Sequence, residues 1–511
     1  MNTGSKAPTD AANLHLRARE IMREAGFAPE FSSAALAEAQ AAQRPDGNGA
    51  TRDVVDLRDR PWSSIDNPTS RDLDQIEWAE RLGSGRARLF VGIADVDALA
   101  AAGGAIDQHA GHNTTSVYTG VVTFPMIPEQ LSSHLTSLHE GEDRLAVVVE
   151  MVIDESGSIT DVGARRALVQ NRARLAYGEV GAWLTGNGGA PGKLATDPAL
   201  AEQLRLQREI SAWLRTRRRA DGALELETSE VRTVATDGRV VGLEQTVRNA
   251  ARDLIEDIML ATNTAIAGLC ETAGVSWIRR IVRSPERWDR IVALAASLGA
   301  TLPASPSGTA LAQFLLSQRV SDPDHFPELS LALLKLIGKG EYAVERRGED
   351  LEGHFGLAIG DYSHSTAPNR RYADLVTQRL LKAIIAGRPA PYADEALDAI
   401  ALRCTEREDE AKRVERKLSK LAAAAFIAPR VGESFDAVVT GVSGKGTFAR
   451  VFHPPVEGRV VRGEAGWDVG DRVRVRLLAA DPETGYIDFA ATGGVRVPDV
   501  GSARTGKSTT R

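Results

Sequence analysis

Cysteine is scarce in this chain of 511 residues, since only Cys270 and Cys404 occur and they lie far apart in the sequence. This spacing excludes a disulfide framework and a cysteine-based metal site. Long apolar runs are also absent, so the sequence offers no membrane-spanning segment and no secretory signal. We therefore expect a cytoplasmic protein without a membrane anchor. The net charge of −7 argues mildly against a nucleic-acid partner, but the basic residues are clustered, and their distribution matters more than the sum.

The chain is long enough for several domains, and its hydrophobic pattern changes along the sequence. Residues 10–43 have helical spacing and predict two or more short helices, which could form either a nucleic-acid-binding helix–turn–helix or a packing appendage. Short apolar runs at 89–95 and 144–154 predict buried strands. At Val431 the period changes from 3.6 to 2, which predicts a small barrel of five short strands.

An acidic stretch places Asp66, Asp72 and Asp74 within nine positions. Residues 67–70 are turn formers, so the chain can fold Asp66 back toward the other two carboxylates. An oxygen-only cluster of this kind suits a hard cation such as Mg²⁺ or Mn²⁺, which keeps coordination positions open for a substrate phosphate. The alternative is a solvated acidic loop in which Ser70 or Asp72 caps a helix, and the spacing alone does not decide between the two.

The same stretch, SIDNPTSRDLDQIE, is followed by LFVGIADVDALA at 89–100, and together they resemble the first signature of the ribonuclease II family, which carries the RNB domain. The family's second signature is matched by TAPNRRYADL at 366–375. Further matches occur in the family's order at 116–128, 176–180 and 413–418. The resemblance covers about residues 50–490, and it departs from the family at Gln75, which stands where the family has the last aspartate of its run.

By this resemblance we expect an α+β fold, with a mixed RNB catalytic domain (a sheet with surrounding helices) followed by a small all-β OB-type barrel of the S1 RNA-binding kind. The expected divisions are an N-terminal helical appendage at 1–50 with a disordered start and a linker at 41–52, a catalytic domain at 51–430, the barrel at 431–495, and a disordered tail at 496–511. The family usually places two cold-shock domains first, and we expect this chain to lack them because residues 1–50 are too few to hold them.

The resemblance also implies a metal site formed by Asp66, Asp72, Asp74 and Gln75. Asp74, at the centre of the carboxylate run, is the expected catalytic carboxylate. Gln75 can offer one neutral carbonyl oxygen in place of a carboxylate, which should weaken the affinity for a divalent cation.

Two charged residues further along the chain are expected to act in catalysis. Arg370 would neutralise the scissile phosphate with its forked guanidinium, whereas the alternative is a structural ion pair with Asp374. Glu415 would contact the substrate or a metal-bound water, whereas the alternative is an ion pair along its helix with Lys412 or Arg416.

Several residues are expected to contact RNA. Tyr177, which is also expected among the catalytic residues, would abut or stack on the terminal base, and Tyr118 would stack on a base further from the cut. Core packing is the usual role of a single tyrosine. The other expected contacts are Leu226, which replaces a family phenylalanine, and Arg371, Phe448 and Arg450. In the barrel, strand alternation places Phe448 and Arg450 on one face, which favours binding for that pair, whereas core packing is the alternative. The four arginines in residues 215–219 predict a solvated face, with phosphate binding as the alternative.

The function implied by the resemblance is 3′→5′ exoribonucleolytic hydrolysis of single-stranded RNA to nucleoside 5′-monophosphates by metal-assisted attack of water. We expect Mg²⁺, or else Mn²⁺, as the cofactor, no small-molecule cofactor, and a monomer. One alternative is an RNA-binding regulator on a catalytically weakened scaffold, with Gln75, Leu226 and Gln378 as departures from the family pattern. Another alternative is a metal phosphodiesterase that acts on small nucleotides, against which the predicted barrel argues.

Overall fold

The computed structural model describes residues 11–43, 53–227, 231–236, 239–245, 248–323, 325–349, 351–444 and 446–495. The expected disordered start and tail lie outside these residues, as does most of the expected linker at 41–52. Within the described residues the fold is α+β: a mixed sheet and its helices are followed by a closed five-stranded barrel. The fold class expected from the sequence is therefore confirmed.

The part of the chain before the barrel is built on a seven-stranded sheet. The strands before residue 180 are β1 (Val54–Asp56), β2 (Ser63–Asp66), β3 (Gln75–Gly83), β4 (Arg86–Ala94), β5 (Val117–Tyr118), β6 (Thr123–Phe124), β7 (Asp143–Asp154), β8 (Ile159–Gln170) and β9 (Ala173–Ala176). Seven of them pair in the order β1-β8-β7-β4-β3-β2-β9, and β5 pairs with β6 in a separate hairpin. The β1–β8 and β2–β9 pairs are parallel, whereas the four pairs between them are antiparallel.

The two apolar runs that predicted buried strands are β4 and β7, which pair with each other in the middle of the sheet. Val147, Val148 and Val149 are consecutive and all buried, so both faces of β7 are covered. Continuous apolar sequence is typical of a strand that is buried on both sides, because alternate residues then all face protein. The same reasoning applies to β4, whose residues from Leu89 onward include only small or apolar side chains.

Helices cover the sheet and extend this part of the chain. They are α1 (Ala11–Glu24), α2 (Ser33–Ala41), α3 (Ala105–Asn113), α4 (Tyr177–Leu184), α5 (Gly192–Thr196), α6 (Pro198–Asp221), α7 (Ala250–Ala273), α8 (Trp288–Ser297), α9 (Gly308–Ser321), α10 (Phe326–Ile337), α11 (Tyr372–Ile385) and α12 (Asp394–Ile427). Leu204 of α6 and Ile258 of α7 belong to the same buried cluster as the valines of β7. Burial of their apolar faces stabilises these helices more than intrinsic propensity does.

The remaining strands form a hairpin, an antiparallel pair of strands that are distant in sequence, and the barrel. They are β10 (Val231–Thr236), β11 (Arg239–Gln245), β12 (Trp277–Ile281), β13 (Glu341–Glu345), β14 (Ser434–Ser443), β15 (Gly446–Val451), β16 (Glu457–Arg462), β17 (Arg472–Asp481) and β18 (Tyr486–Val495). The barrel closes in the order β14-β15-β16-β18-β17, and its interior contains Val439, Val475 and Phe489. Ala424 and Ile427, at the end of α12, belong to the same cluster, so the helix is continuous with the barrel core.

The N-terminal helices α1 and α2 pack onto α12 and α3. Leu14 and Met22 of α1 are buried in a cluster with Leu418 of α12. Glu38 of α2 accepts hydrogen bonds from the backbone N–H groups of Ala105 and Ile106 and so caps the start of α3. Of the two alternatives left open by the sequence, this arrangement is that of a packing appendage.

Two expectations from the sequence composition can be compared with the structure. Among the helices in the described ranges, none combines the length and apolar character needed to cross a lipid bilayer. Cys270 and Cys404 are both buried free thiols, as their spacing predicted.

Candidate active site

The acidic stretch forms the loop that joins β2 to β3. Asp66 ends β2, and its carboxylate accepts hydrogen bonds from the backbone N–H of Asn67 (2.6 Å) and the hydroxyl of Ser70 (2.8 Å). The N–H of Ser70 also donates to the carbonyl oxygen of Asn67. These bonds close the turn that the sequence predicted at 67–70.

Asp74 is the most deeply buried of the three aspartates, with 4% of its surface exposed. Its carboxylate accepts a hydrogen bond from the backbone N–H of Asn369 (3.1 Å) and lies 3.7 Å from Nε of Arg370. Both partners belong to the segment before α11, which matches the second family signature. Burial raises the pKa of Asp74 to about 7, an effect that the Arg370 charge opposes and the Asp72 charge reinforces. The two signatures, far apart in sequence, therefore meet at one carboxylate.

Asp72 contacts the β5–β6 hairpin. The hydroxyl of Tyr118 donates a 2.8 Å hydrogen bond to Asp72, and the backbone N–H of the same tyrosine donates to Glu415 of α12 (3.0 Å). Tyr118 is 42% exposed, so its ring also faces open space. Burial of the hydroxyl raises the pKa of Tyr118, and the neighbouring Asp72 charge acts in the same direction. Of the two helical partners considered for Glu415, Lys412 donates to Glu408 and Arg416 donates to the carbonyl oxygen of Lys412.

Tyr177 directly follows Ala176, the last residue of β9, which pairs with Asp66 at the end of β2. It begins α4, is half-buried, and has the guanidinium of Arg252 at 4.4 Å from its ring centroid. Arg252 also donates a hydrogen bond to the side-chain oxygen of Asn67 (2.8 Å). Burial raises the pKa of Asp66, and it also raises the pKa of Tyr177, with the charges of Asp66 and Glu77 adding to the second effect. The cation–π contact fixes the ring beside the turn.

Gln75 and Glu77 lie on one face of β3, because side chains alternate along a strand. Gln75 is half-buried at the first position of β3. Glu77 is fully buried, and neither of its carboxylate oxygens has a hydrogen-bond partner among the described residues. Burial raises the pKa of Glu77 to about 8, and the charge of Asp66 adds to this.

The carboxylates and the Gln75 amide of this region have the oxygen ligands that a hard cation prefers. The Glu77 carboxylate has no hydrogen-bond partner among the described residues, so its oxygens are also available as ligands. The expected three-carboxylate cluster is nevertheless not pre-formed. In the described part of the chain, no group of three or more His, Cys, Asp or Glu side chains is arranged closely enough to hold a metal ion. Asp72 and Asp74 are instead engaged by Tyr118 and Arg370, while the Asp66 carboxylate accepts hydrogen bonds from Asn67 and Ser70 within its own turn.

The remaining residues expected to contact RNA have other partners. Arg371 forms a two-bond ion pair with the buried Asp374 (2.6 and 2.8 Å), the partner that the sequence alternative had assigned to Arg370. Leu226 is half-buried against the cluster formed by α8, α9 and α10. Phe448 and Arg450 are half-buried on the outer side of β15, as strand alternation predicted, and Arg450 lies 3.7 Å from Glu328 of α10.

Some residues at the site could not be assigned from the sequence. Asn369 donates to Asp74 through its backbone N–H, and almost any residue type could do the same. Only its position beside Arg370 indicated that it could lie at the site. Arg252 lies in a different segment, and nothing in its surroundings indicated a contact with Tyr177. Gln378, which had suggested a weakened scaffold, is buried, donates to the carbonyl oxygen of Ala94 and accepts from the N–H of Asp97. The side-chain amide of Gln378 therefore stabilises the backbone that follows β4.

Comparison with known proteins finds one domain family that matches the part of the chain containing this site and another that matches the barrel. Residues 54–387 match the RNB domain family, and residues 433–492 match the RNase II-type exonuclease C-terminal S1 domain. Ribonuclease R of Escherichia coli is 30% identical over 523 residues, which cover 96% of this chain and 63% of that protein. The chain thus spans about three fifths of the length of this curated relative.

Two solved structures share the fold. Mycoplasma genitalium RNase R in complex with ribose-methylated single-stranded RNA has a TM-score of 0.82 at 22% identity, covering 94% of this chain and 78% of that one. Yeast Ssd1, described as a pseudonuclease, has a TM-score of 0.68 at 17% identity, covering 91% of this chain and 57% of that one. At these identities the likeness concerns the fold alone. The match over residues 54–387 shows that the chain belongs to the RNB-domain family, to which the ribonuclease II resemblance had pointed.

Proposed function

We propose that this protein is a 3′→5′ exoribonuclease that hydrolyses single-stranded RNA stepwise to nucleoside 5′-monophosphates in the cytoplasm, acting as a monomer. One observation supports the proposal most strongly. The buried Asp74 is held between the backbone N–H of Asn369 and the guanidinium of Arg370 in a chain that belongs to the RNB-domain family. A buried acid beside an arginine is suited to a reaction that develops charge on a phosphate.

Arg370 is the proposed phosphate contact. Its side chain is 43% exposed, and the contact with Asp74 at 3.7 Å leaves N–H groups of the fork available to phosphate oxygens. Arg371 is less suited to this role, because both sides of its fork already bond Asp374. We therefore retain Arg370, and not Arg371, as the residue that stabilises the charge that develops on the scissile phosphate.

The two tyrosines are proposed to hold bases on either side of the carboxylates. Tyr177 is fixed by Arg252 and lies near Asp66, which suits contact with the terminal nucleotide. Tyr118 offers an exposed ring and orients Asp72 through its hydroxyl. Glu415 fixes the backbone of Tyr118, so its proposed role is to position the hairpin. In the barrel, Phe448 and Arg450 are proposed to add stacking and phosphate contacts.

The proposed cofactor is Mg²⁺, with Mn²⁺ as a substitute, held by carboxylates of the acidic loop. When bound, such a cation would supply Lewis-acid stabilisation of the phosphate and would lower the pKa of a water molecule. The chain's own contribution is to exclude bulk water around Asp74 and to hold Arg370 beside the reacting phosphate. Gln75 is proposed to contribute an amide oxygen at the start of β3.

Two alternative functions make predictions that differ from those of the proposed exoribonuclease. The fold is shared with a protein described as a pseudonuclease, so an RNA-binding regulator is the first alternative. The test is the release of labelled mononucleotides from single-stranded RNA with Mg²⁺ or with EDTA, alongside RNA binding by filter retention. The proposal predicts release only with Mg²⁺, whereas binding without release would support the regulator. A length series of oligonucleotides addresses the second alternative, since a small-nucleotide phosphodiesterase would prefer the shortest substrate.

A further inference from the structure

Arg370 is held more closely by its backbone than by its side chain. Its guanidinium is 43% exposed and lies 3.7 Å from Asp74, which is too long for a hydrogen bond. Its carbonyl oxygen, in contrast, accepts a 2.9 Å hydrogen bond from the backbone N–H of Ser116 and a 3.2 Å bond from the hydroxyl of Thr115. Both donors belong to residues 114–116, between α3 and β5, so this segment determines where the Arg370 backbone lies.

The same segment also pairs with the start of α11. The backbone N–H of Tyr372, the first residue of α11, donates a 2.8 Å hydrogen bond to the carbonyl oxygen of Thr114. Between these two contacts, Thr115 forms an antiparallel bridge with Arg371. Tyr118 follows two residues after the segment ends. One short stretch of backbone therefore sets the separation between the proposed phosphate contact and the proposed base contact.

The segment is itself fixed by residues that follow α1. Asn113, the last residue of α3, is buried, and its side-chain amide accepts from the N–H of Ala28 and donates to the carbonyl oxygen of Ala28, each at 2.9 Å. Thr114 then has a φ of 59°, a left-handed conformation that β-branched residues rarely adopt. Such a conformation persists only where the surrounding structure determines it. Residues 114–116 are therefore a firm support, and Arg370 is the group that they place.

Thr115 contributes to this support through its side chain, whereas Ser116 contributes through its backbone. The Thr115 hydroxyl has a single hydrogen, which it shares between the carbonyl oxygens of Arg370 (3.2 Å) and Ser116 (3.1 Å). Valine has the same branched shape and no donor, while serine keeps the donor. One pair of substitutions therefore separates the role of the hydroxyl from that of the side chain's shape.

We infer that Thr115 is a positioning residue that acts through Arg370, because its hydroxyl holds the backbone from which the guanidinium extends. The inference rests on the proposed function, in which Arg370 contacts the scissile phosphate. A small displacement of a group that meets a developing charge removes much of its effect on the rate. Loss of the hydroxyl should therefore reduce cleavage more than it reduces RNA binding, most of which comes from other contacts.

The first measurement compares single-turnover cleavage of single-stranded RNA with RNA affinity in EDTA. Thr115→Val should lower the cleavage rate at least about tenfold and the affinity at most about threefold. Thr115→Ser should stay within about twofold of the wild type in both. Thr447→Val is the matched control, because the Thr447 hydroxyl, buried in the barrel, donates to the carbonyl oxygen of Glu464 (3.1 Å). Its melting temperature reports the cost of losing such a bond, and we expect no change in cleavage rate.

The second measurement requires no turnover. In EDTA, the affinity for unmodified RNA is compared with that for the same RNA carrying an uncharged methylphosphonate at its 3′-terminal phosphodiester. The wild type should bind the unmodified RNA about threefold more tightly, because Arg370 meets the charge of that phosphate. Arg370→Gln should abolish this preference. Thr115→Val should lose most of it, and Thr115→Ser should keep it.

Three results would overturn the inference: a wild type without the preference, a full preference in Thr115→Val, or equal losses of cleavage rate in Thr115→Val and Thr115→Ser. A Thr115→Val rate within about twofold of the wild type would do the same. If the wild type binds RNA and does not cleave it, the proposed function fails, while the second measurement still tests Thr115. Cleavage by the wild type with an unchanged preference in Thr115→Val would contradict only the inference.

Discussion

The hydroxyl of Tyr118 lies 2.8 Å from a carboxylate oxygen of Asp72 and donates a hydrogen bond to it. The same tyrosine is bonded through its backbone to Glu415 on α12, so one residue of the β5–β6 hairpin connects the acidic loop with the long C-terminal helix. From the sequence, Tyr118 was expected to stack on a base away from the cut. The contact with Asp72 places it at the carboxylates, and its ring and its hydroxyl can therefore be tested separately.

Replacing Tyr118 by phenylalanine removes the bond to Asp72 and keeps the ring, whereas alanine removes both. Stacking of a base on an aromatic ring contributes about 1–3 kcal/mol, so Tyr118→Ala should release a longer final oligonucleotide. Tyr118→Phe should keep the final length of the wild type and lower the cleavage rate, because Asp72 loses its orientation. Limit products are sized on a sequencing gel and rates are measured under single-turnover conditions. A wild-type final length in Tyr118→Ala, with a lower melting temperature, would mean that the ring only packs.

Asp74→Asn removes the charge of the buried acid and preserves its shape. We expect kcat to fall at least about a hundredfold, because Asp74 is the carboxylate at which both family signatures meet. RNA affinity should stay within about twofold, since backbone charge and stacking provide most of it. Filter binding and nucleotide release on the same preparation check both statements. Loss of binding in parallel with turnover would assign Asp74 a structural role.

The sequence was most informative where local chemistry determines the structure. Consecutive valines predicted β7, the change of period at Val431 predicted the barrel, and the residues at 67–70 predicted the turn that brings Asp66 back. Each of these depends on residues that are neighbours in the chain, so a pattern can contain the information.

Partnerships between distant residues could not be predicted in the same way. The arginines at 215–219 predicted a solvated face, and this prediction was wrong for Arg215 and Arg218, which both pair with the buried Asp257 of α7. Asp374, which the sequence offered as an ion-pair partner for Arg370, pairs with the neighbouring Arg371. The lack of a hydrogen-bond partner for Glu77 among the described residues could not be predicted either, because it depends on which groups the packing of sheet and helices leaves unpaired.

The arginines of β17 provide a test of the barrel. Arg472, Arg474 and Arg476 alternate with buried residues and form an exposed row. If the barrel holds the RNA backbone, replacing all three by glutamine should reduce the slope of log affinity against log salt by up to about 2, at about 0.7 per phosphate contact. A control protein carries the same change at three exposed, acid-paired arginines: Arg81, Arg283 and Arg346. Equal salt slopes in the two variants would indicate that the row does not contact RNA.

The stability of the metal-free protein should depend on pH through Glu77. Burial raises its folded-state pKa from 4.5 to about 8, so above about pH 4.5 the unfolded chain loses a proton that the folded protein keeps. The contribution of Glu77 to stability is therefore complete below pH 4.5 and is lost as the pH rises toward 8, at about 1.4 kcal/mol per unit. Glu77→Gln lacks this loss, and its stability relative to the wild type should increase across that window. Denaturation curves in EDTA at pH 5 and pH 8 measure the difference, and a constant difference would contradict a buried, unpaired acid.

The central claim is that the chain hydrolyses RNA from its 3′ end, and the most direct test follows one single-stranded oligonucleotide labelled at either end. With Mg²⁺, the 3′-labelled RNA should yield labelled nucleoside 5′-monophosphate at the earliest time points. The 5′-labelled RNA should shorten progressively to a small limit product. EDTA and Asp74→Asn should abolish both patterns. Internal fragments at early times, or a 5′ label that is released first as mononucleotide, would contradict the account.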